Sequence, residues 1–250
     1  MAILHLLGTG AALSDPHRTT TMLAFENGSS AIVVDCGGDV VQRLLAAKVV
    51  LKNIQALILT HEHADHVGGF PLFMEKIWLA GRRHPIPVYG IKPAISQAKR
   101  SFETFDTSGW EGMPEIDWYE VAEEEHAPVL EDKEWRVTAS PGSHTVPVTA
   151  LRVEDKRGGG VVAYSCDTER SDAVTRLAQS ATILVHEATG DFAGHASAEQ
   201  AAQVAREAGV GRLLLVHLPP EEDLAEERMA NVRKIFAETA KGEEGGRYEF

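Results

Sequence analysis

Cysteine, long apolar runs and positive charge are all scarce in this 250-residue sequence, and each shortage excludes a class of protein. The two cysteines, Cys36 and Cys166, are too few for the disulfide framework of a small secreted scaffold or for a cysteine-built zinc finger. No apolar run reaches the ~18 residues that a membrane-spanning helix requires. The first eight residues have no basic leader and no cleavage site, and they run into Gly8-Thr9-Gly10. They read as a strand and not as a signal peptide. Lysine and arginine number 24 against 37 acidic residues, a net charge of −13. That balance argues against broad, charge-driven nucleic-acid binding while leaving room for a locally positive site. The expectation is a soluble chain of a reducing compartment, the cytoplasm, with no membrane contact.

What is present is an ordinary globular composition, 44% hydrophobic and 24% charged. At roughly 100–200 residues per domain the length allows one large domain or two small ones. A chain of this size buries about 70–75% of the surface it exposes when unfolded, so it needs no disulfide for stability. Short runs rich in Val, Ile and Leu suggest strands at 2–8, 22–26, 31–35, 56–60, 87–90, 116–121, 135–140, 149–154, 161–166, 182–186 and 212–217. Helical patterns fit 40–47, 67–79, 94–105, 171–179, 198–208 and 224–240. Several strands are apolar on both faces, as expected inside a layered α/β architecture. Ser197 and Gln200 can form a capping box before the 198–208 helix, and Gly209 can close it. Residues 155–160 read as a hairpin turn, and the acidic runs at 123–125 and 243–244 read as solvated loop and tail. One domain over 1–250 is expected. Strands precede helices in both parts, about 1–125 and 126–250, which suggests two pseudo-repeated halves.

The strongest chemical signal is His61-Glu62-His63-Ala64-Asp65-His66, which leaves the apolar run ending at Thr60. Spacings of two, four and five cannot all share one helix face, where neighbours are three or four apart. A loop leaving a strand end can turn three histidines and Asp65 inward together, and imidazole with carboxylate is the donor set of zinc and related divalent ions. The plain alternative, a His-rich surface loop, does not account for five ligand-type residues in six positions directly after a core strand. Asp35, Asp167 and His217 end other strands, and His144 follows one. The carboxyl ends of strands are where α/β sheets place their sites. Singly, a strand-ending Asp is more often a turn residue.

In order and spacing, Asp35, His61-x-His63-x-Asp65-His66, His144, Asp167 and His217 resemble the motifs of the metallo-β-lactamase superfamily over nearly the whole chain. The resemblance implies a four-layer αββα sandwich with a dinuclear site at one edge. It implies His61, His63 and His144 on one metal, Asp65, His66 and His217 on the other, Asp167 between them, and Asp35 as an outer carboxylate that orients a ligand. Leu7-Gly8-Thr9-Gly10, the segment from Pro16 to Thr21, His186-Glu187-Ala188-Thr189 and the stretch from His195 to Ala202 are similar to the ribonuclease Z branch. In that branch Glu187 would hydrogen-bond His195, and His195 would protonate the leaving oxygen. Members that mature transfer RNA carry a long basic arm between the third and fourth motifs. Only 22 residues separate His144 from Asp167 here, so the arm is absent.

The resemblance therefore implies two divalent ions, zinc first, with manganese and iron served by the same donors. Two ions ~3.5–4 Å apart share a water and lower its pKa, and the bridging hydroxide is the expected nucleophile, steered by Asp65. The cationic charge exceeds that of Asp65, Asp167 and hydroxide by one, which favours an anionic ester. The net −13 is screened beyond roughly 8 Å. The expected function is a metal-dependent hydrolase, a phosphodiesterase acting on a small nucleotide, a cyclic phosphodiester or an RNA end, with catalytic roles for Asp65, His195, Glu187 and Asp35. The alternatives are a lactone, ester or amide hydrolase of the same fold, a tRNA 3′-processing endonuclease, and a non-catalytic metal-dependent carrier. A homodimer is the base-rate expectation. Phe70, Phe73, Met74 and Trp78 recur at helical spacing and read mainly as core. Cys36 and Cys166 read as buried filler. His5, inside the first strand, reads as a packed or edge histidine, and His84 and His126 carry no partner pattern. His186 has at most a minor role, and His17 with Arg18 is balanced between phosphate contact and solvated loop.

Overall fold

The apolar runs pair into two seven-stranded sheets. The computed structural model describes residues 1–13, 16–220 and 224–250. The first sheet contains β1 (Ile3–Gly8), β2 (Met22–Asn27), β3 (Ser30–Val34), β4 (Ile54–Leu59), β5 (Ile86–Gly90), β6 (Ile116–Glu120) and the late β14 (Arg247–Glu249). The second contains β7 (Ala127–Glu131), β8 (Trp135–Pro141), β9 (Thr149–Asp155), β10 (Val161–Tyr164), β11 (Ile183–Glu187), β12 (Arg212–Val216) and β13 (Thr239–Lys241). Each sheet begins with antiparallel neighbours and turns parallel, at β3–β4 in one and at β10–β11 in the other. The chain changes sheet between Glu120 and Ala127, and β14 returns to pair with β1.

Side chains alternate between two buried faces, as strand geometry requires. Leu4, Leu6, Leu23, Phe25, Ile32 and Val34 face the second sheet, where Trp135, Tyr164, Val185, Leu214 and Val216 meet them. Met22, Ala24, Ala31 and Val33 point outward against α1 (Val40–Ala46), α3 (Phe70–Leu79) and α4 (Lys92–Glu103). On the far side, Leu184, Leu213 and Leu215 pack on α6 (Ala198–Ala208) and α7 (Glu226–Ile235). Helices, two sheets and helices form the αββα sandwich. Ser197 and Gln200 make the capping box of α6, and Gly209 ends it in the left-handed region. No helix among the described residues is long and apolar enough to cross a membrane.

Four departures from the sequence reading have physical causes. The 67–79 helix is broken at Gly68-Gly69 into the short α2 (Ala64–Val67) and α3, because Gly69 donates its N–H to Cys36 O and Pro71 restarts the helix in its first turn. The 224–240 helix stops at Ile235, where Phe236 turns extended and Thr239 pairs with Leu213. Strands β7, β13 and β14 are short edges or near-edges with no clear apolar alternation. The 243–244 run is not a solvated tail: the Glu244 carboxylate accepts from Thr9 N and Oγ1, Thr19 N and Arg43. It ties the end of the chain to the loop after β1.

Candidate active site

The parallel strands of both sheets end at one edge of the sandwich, and every expected site residue arrives there. Asp35 follows β3, His61 to His66 follow β4, and His144 follows β8. Asp167 follows β10, Glu187 ends β11 and His217 follows β12. Asp35, Cys166 and His217 have φ of 61°, 52° and 48°. The left-handed region costs a non-glycine residue about 1–3 kcal/mol and recurs at functional sites, and here it ends three strands early and swings their last side chains to the edge. Two loops cross closely beneath the site. A Cβ at Gly37 would lie 1.6 Å from Asp65 O, so only glycine fits. Cys36 N–H donates to His66 O at 2.7 Å across the same crossing.

The donors fall into two groups. In the first, His61 Nε2 and His144 Nε2 lie 3.1 and 3.2 Å from His63 Nδ1. Nitrogens each 2.0–2.1 Å from a tetrahedral ion lie about 3.3 Å apart, so the spacing suits one shared cation. The outer nitrogens are committed elsewhere. His144 Nδ1 donates to Gly194 O at 2.6 Å, and His61 Nδ1 lies 3.2 Å from Thr60 Oγ1. Burial, with the field of His66 adding to it, pushes the His61 pKa down to about 2, and burial also lowers that of His144. These rings stay neutral and turn lone pairs inward.

The second group is Asp65, His66, Asp167 and His217. His217 Nε2 lies 3.3 Å from both Asp65 Oδ2 and Asp167 Oδ2. His66 Nε2 lies 3.5 Å from Asp167 Oδ1, and both atoms are buried without a hydrogen-bond partner. His66 Nδ1 already donates to Asp35 Oδ2 at 2.8 Å. A buried imidazole nitrogen and a buried carboxylate oxygen left facing each other call for a cation or a proton between them. Without a metal the proton serves. Burial opposes charge on His66, but Asp167 and Asp35 together raise its pKa well above the ordinary value. Burial opposes the Asp167 charge as well, yet His217 and His66 hold its pKa well below the carboxylate range. Asp65 is held at about 2 because the His217 hydrogen bond and nearby imidazoles overcome its burial. The donor set fits divalent ions, and Asp167 reaches both groups through its 4.0 Å approach to His61 Nε2.

Sequence reasoning gave no role to the residues that hold these donors. Thr60 donates N–H and Oγ1–H to the two Asp35 oxygens. Thr189 Oγ1 donates to Glu187 Oε2 at 2.7 Å and lies 2.7 Å from His217 Nδ1. Both sit inside quoted motifs, beside a ligand-type residue, and that adjacency was the available signal. Glu187, wholly buried, also accepts from Thr168 N, Thr189 N and Ala196 N, and from His195 Nδ1 at 3.0 Å. The His195 ring stacks on His217 with centroids 5.6 Å apart and meets His144 edge-on at 4.9 Å. Burial lowers its pKa, but Glu187 outweighs that and raises it.

Cys166 Sγ is close to His61 and His66, but burial pushes its pKa to about 12 and it donates to Thr60 Oγ1, so it remains a thiol. His5 is buried against Glu26 at 3.0 Å, and His186 is buried with Nδ1 on Glu187 O. Phe70, Phe73 and Met74 are core, and Trp78 stacks on Trp110.

A family model described as a β-lactamase superfamily domain matches residues 30–218. A ribonuclease Z of Methanothermobacter thermautotrophicus is 27% identical over 292 aligned positions, covering 93% of this chain and 92% of that protein. The alignment is longer than the chain, so the relative carries inserted segments. The probable metallo-hydrolase YhfI of Bacillus subtilis is 28% identical over 224 positions, covering 86% of each. Its crystal structure, a metallo-β-lactamase fold, superposes with a TM-score of 0.81 at 23% identity over 99% of this chain and 98% of that one. The short form of human tRNase Z gives 0.80 at 22% identity over 100% and 98%. With most of its length matched by the family model and its fold shared with these structures, the chain belongs to the metallo-β-lactamase superfamily.

Proposed function

We propose that this single-domain chain is a divalent-metal-dependent hydrolase of phosphodiesters, acting on a small nucleotide, a cyclic phosphodiester or an RNA end. The observation that carries the reading is His195, held by the buried Glu187 carboxylate, stacked on His217 of one donor group and edge-on to His144 of the other. An ester with a poor leaving group needs a proton donor, and a lactone opening at neutral pH has less need of one. The names of the relatives, ribonuclease Z above all, support the same class.

His61, His63 and His144 would hold one ion, and Asp65, His66 and His217 the other, with Asp167 between. When bound, such ions supply Lewis-acid polarisation of the phosphoryl oxygens and a water of lowered pKa. The protein's own residues do the rest. Asp35 and Thr189 fix the tautomers of His66 and His217, so that both present Nε2 lone pairs inward. Asp65, partly exposed, is the carboxylate placed to accept a proton from the attacking water. Glu187 keeps the proton of His195 Nδ1 in place and favours the imidazolium, whose Nε2–H is delivered to the leaving oxygen. The absent arm favours a small substrate over folded tRNA. Zinc is the ion we assign, and a homodimer is the assembly we expect from base rates.

The test is metal-resolved turnover of bis(p-nitrophenyl) phosphate, a 2′,3′-cyclic nucleotide, precursor tRNA, a lactone and a thioester. Turnover of the 2′,3′-cyclic nucleotide, whose alkoxide leaving group needs a proton, should fall by ~10²–10⁴ in His195→Ala with metal content intact, and turnover of bis(p-nitrophenyl) phosphate, whose phenolate leaves unprotonated, should fall much less. A lactone or thioester turned over faster than every phosphodiester, or a His195→Ala variant that keeps its turnover of the cyclic nucleotide, overturns the reading.

A further inference from the structure

Next to the donor groups, and sharing His195 with them, lies a cavity of about 330 Å³ lined by Glu169, Arg170, Asp191, Phe192, His195 and Gln200. We infer that this cavity is the leaving-group subsite and that it selects an uncharged, planar leaving group, such as a nucleoside or an aryl alcohol, with Phe192 as its stacking surface. The inference rests on the hydrolase reading above and adds its substrate class.

The geometry comes first. His195 meets rings of both donor groups and also lines the cavity. A leaving oxygen that takes its proton from His195 is therefore released beside the cavity, which is open to the carbon it carries. Phe192 is 56% exposed, as Phe105 is, whereas Phe25, Phe70, Phe73, Phe102 and Phe250 are buried, and the Phe192 ring lies 5.0 Å from that of His195. Gly190 backs it: a Cβ there would meet Phe192 Cε1 at 2.6 Å, so the ring rests on bare backbone. The loop is pinned. His195 N–H donates to Phe192 O, Gly190 N–H to Ala196 O, and Gly194 N–H to Glu169 Oε1. Gly194 O receives the His144 proton. An aromatic face held this way loses little freedom when a second ring stacks on it.

Charge decides what kind of ring. Glu169 and Asp191 bring two negative charges to the wall. Arg170 lines the cavity but is paired with Glu207 Oε2 at 2.6 Å, so that even with His195 protonated the acids Glu169, Asp191 and Glu207 outnumber the cations. A departing group that carries its own phosphate would meet a net negative wall within a Debye length. A neutral nucleoside or phenol would not. The subsite thus disfavours a diphosphate or a polynucleotide on the leaving side, while the retained phosphoryl group still faces the cationic centre.

Two measurements test this. For turnover of bis(p-nitrophenyl) phosphate by the metal-loaded enzyme, Phe192→Ala should raise KM roughly 5- to 100-fold with a much smaller change in kcat, and Phe192→Trp should restore KM. For the metal-free protein, adenosine should shift the amide resonances of Gly190, Ala193 and Gly194. Adenosine 5′-monophosphate should bind several-fold more weakly at low salt, and Asp191→Asn should narrow that gap. An unchanged KM in Phe192→Ala, or equal binding of the two ligands, overturns the subsite. If the wild type hydrolyses no phosphodiester while adenosine still produces the shifts, the hydrolase reading falls and the pocket stands.

Discussion

The two donor groups at the edge of the sandwich are built on opposite plans. His61, His63 and His144 form a cluster without formal charge, since no carboxylate is among them. Their outer contacts are a hydroxyl and a backbone carbonyl, and His63 meets no polar side chain among the described residues except the other two imidazoles. Asp65, His66, Asp167 and His217 form a charged cluster whose members already pair with one another, braced by the buried Asp35 and by Thr189 bonded to Glu187. The charged cluster compensates itself with protons when no metal is bound. The neutral cluster gains nothing comparable from a proton, because desolvation keeps His61 uncharged. On the proposed reading the first group serves to bind metal and takes little part in holding the fold, whereas the second would bind metal and is also part of the core.

Breaking the link between the groups should have the largest effect. Asp167 is within 4.0 Å of His61 and closer to His66 and His217, so Asp167→Ala should reduce turnover to background and bound metal to one ion or fewer per chain, read by elemental analysis. Two ions retained with turnover intact would show that the groups are independent. Next is His66→Ala, measured on the metal-free protein. It leaves the Asp35 and Asp167 carboxylates buried without their shared partner, and breaking a buried pair costs about 3–5 kcal/mol. Denaturant unfolding should show a loss of that size. A loss under about 1 kcal/mol would mean the charged cluster does not support the fold.

What the sequence disclosed cuts across the two clusters. The run from His61 to His66 announces two members of each, because its density is the signal, whereas His144 stands outside it. A layered α/β architecture was legible from strands apolar on both faces, and the αββα order came only with the family resemblance. Asp35, Asp167 and His217 were legible only through their motif, since a strand-ending acid reads locally as a turn. The left-handed φ of Asp35, Cys166 and His217 has no local cause in the sequence. Thr60 and Thr189 were quoted but given no task, because a hydroxyl's partner is set by tertiary approach. Glu244 was misread for the same reason: its partners Thr9 and Thr19 lie 235 and 225 residues away. The helix read over 224–240 ran too long because the apolar spacing of Val232, Ile235 and Phe236 continues while pairing to β12 takes over at Thr239.

Asp35→Asn tests the bracing alone. The amide can still accept from His66 Nδ1 but carries no charge to raise that ring's basicity. Losing such an outer partner typically costs 10–100-fold in metal affinity or activity. Because only the charged cluster has an outer carboxylate, the loss should fall on one ion of the two, visible as one weakened step in a metal titration. Equal weakening of both steps would mean that Asp35 acts through the Thr60–His61 contact as well.

His63→Ala should give the smallest effect on the fold and so sharpens the comparison most. Its ring is half-buried, pairs with no carboxylate and leaves no charge uncompensated when removed. Surface-type truncations without such consequences stay within about 0.5 kcal/mol, and some lost ring packing against His61 and His144 should bring this one to under about 1 kcal/mol in the metal-free protein. Once metal is added the order changes. Wild type gains stability by mass action from each ion that binds only the folded state, and His63→Ala loses most of that gain at the neutral cluster. The thermal midpoints of variant and wild type should therefore nearly coincide in chelator and separate in excess metal. Midpoints already well apart in chelator would show that the neutral cluster supports the fold as the charged one does.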